Sequence, residues 1–120
     1  MMKVEFETRD KYLFARMTGA YSFEQMIGAI ERIGDECTRQ NCKRVLVDVS
    51  IIGDADLTSR FKYAEHAARK LLGLEKCAAF TGKPEQRVEP FTADVAQNRG
   101  LSLQVFGNQD DALRWLLMDL

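Results

Sequence analysis

The chain alternates short stretches of β-branched and aromatic residues with longer stretches in which apolar side chains return every three or four positions. Val4 to Thr8 and Tyr12 to Thr18 are extended runs joined by the polar turn Arg9-Asp10-Lys11, which predicts a β-hairpin. In the second run Leu13, Ala15 and Met17 alternate with Tyr12, Phe14 and Arg16, so both faces are largely apolar and an interior strand is expected. Ser22-Phe23-Glu24-Gln25 then offers a helix cap, with Gln at the spacing that lets two orphan helix amides be satisfied reciprocally. Phe23, Met26, Ile27, Ile30, Ile33, Gly34 and Cys37 follow at helical spacing, with Glu24, Glu31, Arg32, Asp35, Glu36 and Arg39 on the other side. This is the strongest amphipathic signal in the chain, and it predicts a helix packed on the core.

Arg44 to Ser50 is short, β-branched and almost continuously apolar, as expected of a strand covered on both faces. The loop Ile51 to Asp56 leads into a helix expected from about Leu57 to Leu72, with Leu57, Phe61, Ala64, Ala68 and Leu71 along one stripe and Gly73 ending it. Cys77 to Thr81 reads as another buried strand, Gly82 to Glu89 as a polar loop, and Pro90 suits a first helical position. A short helix, Phe91 to Arg99, stops at Gly100; Leu101 to Phe106 forms the last strand, and Gln109 to Leu117 a terminal helix carrying the only tryptophan, Trp115. Strands separated by helices imply right-handed crossovers and a mainly parallel sheet, to which the opening hairpin adds an antiparallel edge. The expected fold class is α/β: a single five-stranded mixed sheet, N-terminal hairpin plus parallel strands, with about four helices, all of residues 1–120 forming one domain.

Composition narrows the function classes. With 120 residues, 46% hydrophobic and 29% charged, the chain has ordinary globular usage and the size for one core. Its net charge of −1 gives no electrostatic bias toward nucleic acid or anionic lipid, so no nucleic-acid partner is expected. No apolar run approaches the ~20 residues of a membrane span, and MMKVEFETRD lacks the apolar stretch of a secretory signal, so a cytoplasmic protein without membrane insertion is expected. Cys37, Cys42 and Cys77 have neither CxxC spacing nor a companion histidine cluster. Reduced thiols are therefore expected rather than disulfides, with no metal site and no cofactor.

Arg44-Val45-Leu46-Val47-Asp48-Val49-Ser50 with its acidic loop, Val95-Ala96-Gln97-Asn98-Arg99-Gly100, and Val105-Phe106 leading to Asp111-Ala112-Leu113-Arg114-Trp115-Leu116 together resemble the STAS family of sulfate transporters and anti-sigma-factor antagonists. More closely they look like its small stand-alone bacterial branch, labelled STAS-like or grouped with the lipid-transfer CRAL-TRIO domains. The resemblance implies the same fold and a non-catalytic regulatory or binding role. In the antagonists the matching strand is followed by an Asp-Ser pair at a helix start, and a partner kinase phosphorylates that serine. Aligned on the strand, Asp56 takes the aspartate's place and Leu57 the serine's. Thr58 and Ser59 are the hydroxyls that a shifted register would supply, and the likeness supports the fold better than the antagonist function.

In open α/β sheets ligands sit beyond the carboxyl ends of the strands, which selects Ser50 to Ser59, Thr81 to Arg87 and Gly107 to Asp110. The first segment supplies the candidate partner- or ligand-binding set: Asp54, Asp56, Thr58, Ser59 and Arg60, with Thr58 and Ser59 also candidate phosphorylation sites. The competing local reading is that Asp56 caps the helix and Thr58 and Ser59 fill its first turn. His66, the only histidine, lies off the apolar stripe among Lys62, Glu65, Arg69 and Lys70, which suits a solvated or groove-lining role. Without a second histidine or a nucleophile elbow no triad is supported, so no catalytic residue is assigned.

Thr81-Gly82-Lys83 follows a strand but fails as a phosphate loop, because Cys77 and Pro84 stand where that pattern needs Gly and Ser or Thr; Lys83 and Arg87 remain anion contacts to consider. Phe61 and Tyr63 are the candidate wall of an apolar pocket, as the CRAL-TRIO likeness implies. Core packing is the commoner use for such aromatics, a cavity large enough for an acyl chain would strain the packing of a single core at this length, and an exposed Tyr63 would suit a homodimer contact. The expected function is thus a non-catalytic module that recognises a protein partner or small ligand through the loop and helix start after the third strand. A carrier of a small apolar or lipid-like ligand is the alternative.

Overall fold

Five strands lie in the sheet in their order along the chain: β1 (Lys3–Thr8), β2 (Leu13–Ala20), β3 (Arg44–Ile52), β4 (Lys76–Phe80) and β5 (Leu103–Phe106). The computed structural model describes residues 1–53, 55–81 and 90–120, with the backbone alone at 90 and 91. β1 runs antiparallel to β2, and the pairs β2–β3, β3–β4 and β4–β5 are all parallel. The helices are α1 (Phe23–Gln40), α2 (Leu57–Lys70), α3 (Pro90–Asn98) and α4 (Gln109–Leu117). The α/β class, the mixed five-stranded sheet and the hairpin edge are thus as the patterning predicts.

A strand order that never reverses, joined by right-handed crossovers, places every crossover helix on the same side of the sheet. The two cores follow that rule. Leu13, Val45, Cys77 and Leu103 are register partners, as are Ala15, Val47, Ala79 and Val105, and both rows face the layer of α1, α2 and α3. Phe14, Leu46 and Ala78 point the other way, where Ala112 and Leu116 of α4 cover them. Arg44 ties α4 down: its buried guanidinium donates to the carbonyl oxygens of Leu116 (2.5 Å) and Met118 (3.3 Å) and pairs with Asp119 (3.2 Å). It thereby satisfies carbonyls that a helix end leaves without partners.

The crossover layer is stitched sideways. Lys70 on α2 reaches across α1 to Asp35 (2.7 Å) and Glu31 (3.2 Å), and His66 Nε2 lies 2.7 Å from Glu31. Gly34 makes this crossing feasible, since a Cβ there would stand 2.8 Å from Lys70 side-chain carbons. On the other flank Arg99 pairs with Glu65 (2.9 Å) and lies over the Phe61 ring, 4.9 Å from its centroid.

Three local expectations are corrected. Ser22 Oγ accepts from Gln25 N at 3.5 Å, but the reciprocal arm of the capping box is diverted, because Gln25 Oε1 accepts the Met2 N–H at 2.6 Å instead. Second, α2 ends at Lys70 with Leu71 as its cap, before Gly73. Third, Leu57 and Phe61 are exposed, at 63% and 38%, although the spacing predicts them in the buried stripe of α2. They precede Ala64 by two turns and by one, and the Phe61 side of the helix meets Arg99 just past the end of α3 rather than the sheet.

Candidate functional site

α2 turns the stripe Arg60, Tyr63, Ala67 and Leu71 toward the sheet, at helical spacing. Beneath it the sheet presents Val47, Cys77 and Ala79. Alanine on both walls, Ala67 of the helix and Ala79 of the strand, leaves little side chain to fill the space between them. The result is a cavity of about 580 Å³ between the sheet and the α1–α2 layer. Met26, Ile30 and Ile33 close it from α1, Leu103 and Val105 from β5, and Thr92 from the start of α3. Close-packed cores hold few voids larger than a water molecule, whereas ligand pockets run ~300–1,000 Å³.

Burial locates the mouth. Met26, Ile33, Val47, Cys77 and Leu71 are buried, whereas Tyr21, Ile51, Ala55, Arg60, Tyr63 and Thr92 are partly exposed and Gly53 is exposed. These accessible residues sit at the carboxyl ends of β2 and β3 and the starts of α2 and α3. The opening therefore lies where sheet topology directs ligands, but the site is interlayer, since a strand order without reversal provides no switch-point crevice. A smaller cleft of about 180 Å³ lies between the ends of α1 and α2, lined by Thr38, Asn41, Lys43 and Lys70. Its lining is the more polar of the two, and the larger cavity is the better-built site.

Polar groups gather at the mouth. Arg60 is the one charged side chain lining the cavity among the described residues. The Tyr21 hydroxyl is enclosed without a well-formed hydrogen bond. Burial, the Tyr63 phenol and, less strongly, the Asp56 charge push its pKa up, against the Ser59 hydroxyl and the Arg60 charge, which pull it down. Asp56 is the N-cap of α2, its Oδ1 accepting the Ser59 N–H at 2.7 Å, and that bond holds its carboxyl below the ordinary carboxylate range.

The residues singled out in the sequence thus separate. Arg60 and Tyr63 line the cavity, Asp56 caps the helix, Thr58 is exposed and Ser59 is half-buried in the first turn. Phe61 stands outside the lining, under Arg99. Asp54, Lys83 and Arg87 lie outside the described residues. His66 faces Glu31 on α1. Sequence reasoning missed Tyr21, Thr92 and the inner face of α1 as cavity wall; the signal available was the small residues at Ala67 and Ala79, which line it. Cys37 and Cys77 are buried thiols, each pushed up to about 12 by burial. Among the described residues no group of three or more His, Cys, Asp or Glu side chains is placed to hold a metal ion, and no helix is long and apolar enough to cross a membrane.

No protein-family model and no curated protein matches the chain. Among solved structures it is similar to an uncharacterised protein of the DUF3478 family from Shewanella loihica PV-4, which has a SpoIIAA-like fold. The TM-score is 0.58 at 17% sequence identity, over 96% of this chain and 93% of that one. The chain therefore has a SpoIIAA-like, STAS-type fold, as the resemblance of its motifs implies.

Proposed function

We propose that this chain is a non-catalytic binding module that takes one small apolar ligand into the cavity between its sheet and the α1–α2 layer, entering past the loop and helix start after β3. The observation that carries the reading is the volume of about 580 Å³ with an apolar interior and polar groups confined to one end. That division is what a ligand site needs: buried apolar area for affinity and a few placed polar groups for orientation. Native mass spectrometry of the freshly purified chain tests it, together with uptake of the neutral fluorophore N-phenyl-1-naphthylamine. A non-covalent copurifying mass, or saturable one-to-one fluorophore uptake, is expected; a clean apo mass with no uptake refutes the proposal.

A second reading, a protein partner recognised at the helix start, is favoured by Ile52 and Leu57, which stand 58% and 63% exposed beside the mouth. Leu57→Asp separates the two: loss of a captured partner with fluorophore uptake unchanged supports the partner reading.

A further inference from the structure

We propose that the ligand is a single-chain amphiphile with a small anionic head, a carboxylate or phosphate, whose head pairs with Arg60 while its tail runs down the cavity. The inference rests on the reading of the cavity as a ligand site and adds the ligand's charge, shape and orientation. Charge comes first. The cavity wall holds one charged side chain among the described residues, and it is a cation at the mouth. A guanidinium presents a planar fork of donors that matches carboxylate and phosphate oxygens two at a time. The enclosed Tyr21 hydroxyl, with no well-formed partner, is a further donor at the same end.

Shape comes second. At ~30 Å³ for each water-sized unit, about 580 Å³ has room for about 20 non-hydrogen atoms. That accommodates one chain of moderate length and excludes a two-chain phospholipid. From Arg60 to Leu71 the cavity follows α2 over 11 residues, or roughly 16 Å at 1.5 Å per residue. Below the mouth Ile30, Ile33, Val47, Ala79 and Leu103 offer no side-chain hydrogen-bonding group, so only one end of a ligand is polar. Those limits together describe an elongated molecule with a head at Arg60 and a plain hydrocarbon tail.

Isothermal titration calorimetry on the full chain with decanoate, decyl phosphate, 1-decanol and decyltrimethylammonium holds the tail constant and varies the head. One of the anions is expected to bind about 10-fold or more tighter than the alcohol, the gain of a charge-assisted hydrogen bond, and the cation weakest. Whichever anion leads identifies the head as carboxylate or phosphate. Arg60→Gln is expected to bring that anion down to the alcohol's affinity, Arg60→Lys to keep most of the preference, and Tyr21→Phe to remove part of it. Equal affinities for anion and alcohol, or a preference that survives both Arg60→Gln and Tyr21→Phe, overturn the inference while leaving the cavity a ligand site. Binding of none of these chains, with no fluorophore uptake, removes the cavity reading itself.

Discussion

Ala78 and Ala79 are neighbours on β4 that point to opposite faces, and the same substitution at each is expected to change stability with opposite sign. Ala79 lines the cavity, whereas Ala78 is fully buried against Phe14, Leu46 and Leu116. Isoleucine adds three carbons, and at ~0.8 kcal/mol per buried methylene they contribute roughly 2.4 kcal/mol where space exists. Fixing the new rotamer removes about 0.5–1 kcal/mol, leaving Ala79→Ile stabilising by about 1.5 kcal/mol. For a chain of this size that raises the unfolding midpoint by about 5 °C. At Ala78 the same carbons meet a filled core, and overpacking costs about 1–3 kcal/mol. Because the strand and the added residue are common to both, intrinsic strand propensity cancels in the comparison. Urea unfolding of the two variants beside the parent measures the difference, expected at roughly 3–4 kcal/mol. Equal destabilisation at both positions would refute the reasoning, because it would mean that the helix layer stands as close over Ala79 as α4 does over Ala78.

Other outcomes follow from single features of the fold. Gly19 has φ +97°, and a Cβ there would collide with the Met1 carbonyl oxygen; Gly19→Ala is expected to lose more than about 1 kcal/mol in urea unfolding, and deleting Met1 in that variant to restore part of it. Arg44→Met removes the guanidinium bound to the end of α4 and is expected to cost about 2–3 kcal/mol. Its readout is Trp115 emission, since that ring packs on Phe106 at 5.7 Å and beneath Lys76, so undocking of α4 shifts the emission to the red. Thiols raised to about 12 are protonated and shielded at pH 8, so a disulfide reagent is expected to label Cys42 quickly in the folded chain and Cys37 and Cys77 only in denaturant. Fast labelling of all three without denaturant would contradict their burial.

Much of the fold can be read from the sequence because it depends on local pattern. The continuous apolar run Arg44 to Ser50 specifies a strand covered on both sides, and it lies at the centre of the sheet. Asp56 at the start of the α2 pattern becomes its cap. What periodicity does not report is distance between layers. It marks Ala64 and Ala68 as the inward stripe of α2, whereas the assembled fold puts Ala67, together with Ala79 of β4, on the cavity wall. Nor does it distinguish two adjacent stripes on a short helix flanked by neighbours: Phe61 turns toward α3 and Tyr63 toward the cavity, two residues apart. The Gln25 side chain likewise follows a contact with Met2 that is 23 residues away in the chain.

The energetics of the cavity explain why the lateral ties matter. In mutated cores, destabilisation grows by about 24 cal/mol per Å³ of cavity. The part of the cavity beneath the mouth, walled by Met26, Ile33, Val47 and Leu71, carries a cost of that kind when it is empty, and its apolar walls give water few partners. Collapse of α2 onto the sheet is the remaining route to relief, and two sets of contacts oppose it: Lys70 holds α2 to α1, while Arg99 with Glu65 and Phe61 holds it to α3. The crossover layer behaves as a plate fastened along its own plane, so the space beneath it is relieved most favourably by an apolar occupant. It follows that saturating ligand should raise the unfolding midpoint in proportion to RT ln(1 + [L]/Kd), and that Ala79→Ile, which fills the same space covalently, should abolish that increment while keeping its own.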